Sequence, residues 1–214
     1  MKSRRAAILM AALATLSPAV SAAGEGPKSD LIIEEGVLDQ ITLQVAGPPG
    51  AAGLIVRRFP SDKADLGTAK EKDNEKRTDA VKMMQNEGPR ILAESILKTL
   101  GEGKPYTSVK ESEEAAPAGA LVVEGRFTTI DPGSRAKRYW GFGAGQSGIA
   151  VEGVVLSADG KVLAEFKHRR SSGIGLGGGD YVKFLTDDTR DVGHDIAVFL
   201  QRWASGGDLK KDAD

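Results

Sequence analysis

The Asp159-Gly160 pair, set between two runs of alternating apolar residues, constrains the fold of this chain more than any other feature. Ile149, Val151 and Val155 recur at period two before it, and Val162, Ala164 and Phe166 do so after it. Asp-Gly between such runs is the strongest short-range signal for an antiparallel hairpin, because both residues tolerate the left-handed backbone a tight turn needs. The arms expected are Ile149–Leu156 and Val162–Lys167. A third run precedes them, with Leu121, Val123 and Phe127 on one face and Gly125 between them as a bulge or close backbone approach. Asp131-Pro132-Gly133 closes that run with a turn, so residues 121–170 read as a three-strand meander.

The flanking segments say what covers this meander. Leu31–Val45 reads as short strands, Leu54–Phe59 as a strand ended by Pro60, and Tyr106–Lys110 as a further short strand. Ala46–Gly53 is Pro/Gly-rich linker, and Ser61–Lys76 is a polar run expected to be a solvated loop or the start of an exposed helix. Helical spacing links Val81 and Met84, then Ile91, Leu92, Ile96, Leu97 and Leu100, with Gly88-Pro89 expected to start a new helix and Gly101 or Gly103 to stop it. A last helix is expected to enter through Thr186, Asp187 and Asp188 and to bury Val192, Ile196, Phe199, Leu200 and Trp203 before Gly206-Gly207. Neither helix can bury its stripe except against a sheet. The fold class is therefore α+β: a two-layer sandwich, with a mixed or mostly antiparallel sheet of four to six strands and two main helices packed on one face.

Composition decides which function classes remain. Lys2, Arg4 and Arg5, the apolar run Ala6–Leu16, and the small residues Val20–Ala23 form the three parts of a secretory signal peptide. The expected organisation is residues 1–23 signal peptide, 24–53 N-terminal extension and linker, 54–204 a single α+β domain, and 205–214 a disordered tail. The chain has no cysteine, which removes lipoprotein anchoring, disulfides, thiolate catalysis and Cys-based zinc sites. An exported, soluble, periplasmic protein is expected, with no transmembrane segment once the signal is removed. Loss of the three signal-peptide cations takes the formal charge from −1 to −4, and only six Phe, three Tyr and two Trp are present. Neither fits a nucleic-acid binder.

The chemistry-bearing motifs are weak. Gly143-x-Gly145-x-x-Gly148 and Gly173-x-Gly175-x-x-Gly178 have dinucleotide-like spacing, but neither opens directly into a helix, where phosphate would meet free amide groups. Asp191, His194 and Asp195 are helical neighbours but a poor zinc set, so no metal and no cofactor is expected. His168 ends a strand in a basic run and is expected to face solvent; no Gly-x-Ser-x-Gly elbow accompanies either histidine. The protein is expected not to be an enzyme.

One constellation is basic. Arg135, Lys137 and Arg138 lie between the first two meander strands, Lys167, Arg169 and Arg170 end the third, and Arg57-Arg58 end the early strand. If these ends meet beside Gly141, Gly143 and Gly145, they form a cationic edge for a phosphate, carboxylate, lipid head group or glycan. In the plainer account, Arg138 packs over the glycine segment and hydrogen-bonds its carbonyls. The ligand-binding candidates are thus Arg135, Lys137, Arg138, Gly141, Gly143, Gly145, Arg169 and Arg170.

The pattern Val123-Glu124-Gly125-Arg126-Phe127, Pro132-Gly133, Arg138, Gly141-Phe142-Gly143-Ala144-Gly145, then a strand, Asp159-Gly160 and a second strand, resembles the bacterial domain-of-unknown-function 4410 family over about Leu54–Trp203. More loosely, the order of elements is similar to the TolB N-terminal domain and related outer-membrane assembly proteins. The first resemblance implies export and no assigned activity. Together they imply a non-enzymatic envelope protein that acts by binding, as an accessory or assembly factor with an envelope protein partner. The alternative is a binder of an anionic small molecule, lipid head group or glycan through the basic edge.

Overall fold

The computed structural model describes residues 31–48, 53–67, 75–102, 105–133, 147–172 and 180–210. In chain order these form β1 (Leu31–Glu34), β2 (Gln40–Leu43), β3 (Gly53–Val56), α1 (Glu75–Glu102), β4 (Val109–Glu111), β5 (Ala120–Asp131), β6 (Gly148–Ser157), β7 (Val162–Arg170) and α2 (Tyr181–Ser205). The strands make one mixed sheet in the order β1-β2-β7-β6-β5-β3-β4. Both helices pack on one face of it, forming the α+β sandwich.

The meander is as the alternation dictates. β5 pairs antiparallel with β6, and β6 with β7, around a turn in which Gly160 has φ 83°. Odd-numbered Leu121, Val123 and Phe127 face Val155 and Val151 on the helix side. Gly125 is a close approach rather than a bulge, and it lies opposite Gly153. A Cβ at Gly125 would stand 2.5 Å from the Phe59 ring, and one at Gly153 would stand 2.5 Å from the Phe166 ring. The paired glycines make the floor on which those rings lie. Phe59 stacks on Phe166 with centroids 6.4 Å apart, Phe166 meets Phe199 at 6.0 Å, and Phe199 stacks on Trp203 at 6.0 Å. This aromatic file fastens α2 to the sheet.

Four expectations need correction. The sheet has seven strands, not four to six, because β1 and β2 join it through β7 and short β4 adds an edge beside β3. It therefore begins upstream of residue 54, and the C-terminal segment packs as far as Leu209, which is buried. α1 continues through Pro89 as a single helix of 28 residues. A proline removes the amide that would bond the carbonyl four residues back, here Gln85, and buried Ser61 supplies the missing donor through Oγ at 2.6 Å. α2 starts five residues earlier than Thr186, because Asp180 caps it by accepting from Val182 N and Lys183 N. Its expected stripe is buried throughout, and Gly206 (φ 68°) ends it.

Candidate functional site

The helices leave the other face of the sheet open. Even-numbered positions of β2, β5 and β6 and odd-numbered positions of β7 point there, and they form two rows across the sheet. Gln40, Lys167, Glu152 and Arg126 make one row; Thr42, Glu165, Val154 and Glu124 make the next, with Arg57 beyond Glu124. With Arg58, Pro60 and Glu113 at one end, these residues line an open groove of about 610 Å³. Charges alternate across it. Arg126 holds Glu152 (Nη2 to Oε1, 2.5 Å), Arg57 reaches Glu124 at 3.3 Å, and Arg58 pairs with Glu111 at 2.5 Å. Glu165 and Lys167 are exposed and have no ion pair among the described residues. The groove thus offers fixed ion pairs along one side and two uncommitted charges on the other.

A second polar cluster lies at the helix side, where β7 ends. His168 is 6% exposed, which overturns the expectation that it faces solvent. Its even-numbered neighbours on β7, Ala164 and Phe166, are core residues, so the same alternation carries His168 inward. Its Nε2 donates to Asp195 Oδ2 at 2.7 Å, and Arg170 Nε donates to the same oxygen at 2.6 Å. Asp39 Oδ2 stands 3.5 Å from His168 Nδ1 and accepts from Arg169 N at 2.7 Å. Burial pushes the Asp195 carboxyl up, but the hydrogen bonds from His168 and Arg170, and their charges, outweigh it and hold the group below its ordinary value. The cluster ties β7 to α2 and to the β1–β2 turn. His168 Nδ1 is buried and has no hydrogen-bond partner among the described residues.

Asp188, on α2, is the contrasting carboxylate. It is 2% exposed and accepts from Ser172 N at 3.3 Å and from Ser172 Oγ. Burial pushes its carboxyl above the ordinary value, and those two bonds only partly offset this. Ser147, fully buried, donates to Ser172 O at 3.2 Å. Asp188 thus fastens the start of β6 and the end of β7 to α2.

Of the residues picked from sequence, Arg135, Lys137, Arg138, Gly141, Gly143 and Gly145 lie outside the described residues. Arg170 is on the helix side, bound to Asp195, and Arg169 is exposed on the other side next to Gly148. Arg57 N bonds Val123 O, whereas Arg169 lies across from Ala150 and so from Thr129. That is six positions along β5, roughly 20 Å at the ~3.3 Å rise of a strand. Arg57 and Arg58 therefore stand apart from Arg169 and Arg170. Asp191, His194 and Asp195 do not converge, since Asp195 turns to His168 and His194 Nδ1 faces Thr99 Oγ1 at 3.4 Å. Among the described residues no group of three metal-ligating side chains gathers, and no helix is long and apolar enough to cross a membrane. Sequence reasoning missed the groove because the polar positions of the three meander strands were read only as the far side of the core. The signal was there in Glu124/Arg126, Glu152/Val154 and Glu165/Lys167.

Comparison with known proteins gives little beyond the family. No curated protein matches. Among solved structures, a PelC dodecamer from Paraburkholderia phytofirmans is similar at 14% identity and a TM-score of 0.41, covering 71% of this chain and 94% of that one. An uncharacterized protein is similar at 13% identity and a TM-score of 0.38, covering 71% and 94%. Both are distant likenesses, and neither bears on the looser pattern similarity to TolB. The family profile described as Domain of unknown function (DUF4410) matches residues 54–175, more than half the chain, from Leu54 in β3 to beyond the end of β7, and the chain belongs to that family.

Proposed function

We propose that this chain is an exported, periplasmic protein of the cell envelope that acts by binding a protein partner, without catalysis, through the helix-free face of its sheet. The observation that carries the reading is the groove of about 610 Å³, in which Arg57, Arg58, Arg126 and Lys167 are interleaved with Glu113, Glu124, Glu152 and Glu165. A surface with both signs at matched spacing suits a partner that also presents both signs, as protein surfaces do. A phosphate or lipid head group would meet a carboxylate already paired with each of Arg57, Arg58 and Arg126. Export rests on the basic, apolar and small-residue order of residues 2–23.

The test is site-specific photocrosslinking in cells that export the protein. A photoreactive residue replacing Lys167 should give one discrete protein adduct, and the same residue replacing exposed Lys82 on α1 should not. The intact mass of the exported form should correspond to a start at Ala23 or Gly24. Equal adducts from both positions, or none from Lys167, contradict the binding face, and a full-length mass contradicts export.

A further inference from the structure

The two edges of the sheet differ in a way that the open face does not explain. At one edge, β4 is three residues long and charged, with Glu111 held by Arg58. Such an edge is guarded against strand addition. At the other edge, β1 has no lysine or proline and a single charge, exposed Glu34 at its end, and Leu31 and Ile32 are 56% and 57% exposed. Its outer side opens on a groove of about 450 Å³ whose other wall is Gly207–Lys210.

The backbone parity of β1 can be worked out. Gln44 N bonds Leu163 O, so even-numbered residues of β2 turn their amides to β7 and odd-numbered ones turn theirs to β1. Leu31 and Ile33, the partners of Leu43 and Ile41, therefore spend their backbone groups on β2. Glu35 N to Asp39 O continues the same parity. Ile32 is left with its N–H and C=O pointing outward, and it has no partner for either among the described residues.

We infer that β1 pairs antiparallel with β1 of a second copy of this chain, about a two-fold axis through Ile32. In that register the two Ile32 residues exchange both backbone hydrogen bonds, which satisfies the free groups reciprocally. Ile32 lies beside Ile32 of the copy on the open side, and Leu31 lies beside Ile33 of the copy on the helix side. The strip is self-complementary on both faces, because three consecutive apolar residues meet their own pattern. Pairing of β1 with the β4 edge instead would set Lys110 and Glu111 against isoleucines, so the assembly closes as a dimer rather than growing into a fibre. A strip this short buries less than the ~1,200 Å² of a standard stable interface, so the association is weak. It is independent of the open-face reading, since the groove on that face remains uncovered.

The absence of cysteine makes the test direct. Residues in a hydrogen-bonded antiparallel pair have Cα atoms about 5.5 Å apart, within disulfide reach. Ile32→Cys in the otherwise intact chain should form a disulfide-linked dimer under mild oxidation, at protein concentrations of roughly 10–100 µM. Val182→Cys, an exposed control on α2, should not. In sedimentation equilibrium, Ile32→Lys and Ile32→Glu should each be monomeric at concentrations where wild type associates, and their mixture should recover the dimer. A wild type that stays monomeric to roughly 500 µM, above the ~10–100 µM at which the dimer is expected, overturns the inference. So does unchanged association of Ile32→Lys, or cross-linking at Val182→Cys equal to that at Ile32→Cys, the mark of random collision. An Ile32→Cys that gives no dimer also overturns it, and is the result expected if another segment of the chain occupies the slot in place of the copy.

Discussion

The two faces of the sheet are built from the same strands and follow different rules. On the helix side, Phe59, Phe166, Phe199 and Trp203 lie ring to ring, and Gly125 and Gly153 leave the space that admits the first two. On the open side, positions one residue away carry Glu124, Arg126, Glu152 and Lys167, whose charges stay in contact with water. Full burial of one large apolar side chain contributes on the order of 1.5–3 kcal/mol, whereas an exposed ion pair contributes roughly 0–1 kcal/mol. The difference teaches that stability comes from one face, and that the other contributes little to it.

The largest effects are expected from the ring file. Phe166→Ala should lower unfolding free energy by roughly 3–5 kcal/mol in a denaturant titration, because a cavity opens between Phe59 and Phe199. Gly153→Val should cost roughly 1–3 kcal/mol or more, since its side chain enters the space of the Phe166 ring. Losses under about 1 kcal/mol for both, the scale of an exposed substitution, would break the comparison between the faces.

Next come the two carboxylates of α2, which sharpen it because both are buried yet answer pH with opposite sign. The folded pKa of Asp195 lies below its unfolded value. Its contribution is therefore full above the unfolded pKa of about 3.9 and is lost as pH falls through the lower folded value. Asp195→Ala should cost roughly 2–4 kcal/mol at neutral pH, because it strands His168 and Arg170, and the gap from wild type should close in acid. The folded pKa of Asp188 is raised, so its ionised form is a burden above that pKa, and the burden fades as pH falls toward the unfolded value. Asp188→Asn should stay within about 1 kcal/mol of wild type at neutral pH, because it removes the charge and keeps an acceptor for Ser172. Acid-unfolding curves of the two variants are the check, and parallel curves would show that burial alone governs both groups.

How much of this was legible follows from how local each signal is. The hairpin at Asp159-Gly160, the stripe of α2 and the core face of β5 were readable, because turn chemistry and periodicity act within a few residues. The run of α1 through Pro89 was not, since the donor that satisfies Gln85 comes from Ser61, which nothing in the local pattern announces. His168 was misread because its basic neighbours Lys167 and Arg169 face the other way; strand alternation, applied one step further from Phe166, places it inward. The start of α2 was missed by preferring Thr186-Asp187-Asp188 over Asp180, although Asp188 is drawn inward by Ser172 and caps nothing. The groove needed both alternation and strand order, and β2 reaches β7 only through a pairing that is distant in sequence.

The smallest effects are expected on the open face. Arg126→Ala and Glu152→Ala should each change stability by less than about 1 kcal/mol, and the coupling between them in a double-mutant cycle should be of the same order. A coupling several times larger would mean that the face is held together by its charges and is not free for another task.

The most direct measurement combines both halves of the claim in one variant. Arg126→Glu with Lys167→Glu reverses two cations of the open face, and a photoreactive residue replacing Thr42 reports on what lies over it. The account predicts a melting temperature within roughly 4 °C of wild type, the shift of a change near 1 kcal/mol or less, together with loss of the discrete protein adduct seen at Thr42 without the reversal. An adduct that persists unchanged, or a melting temperature lowered as far as by Phe166→Ala, would contradict it.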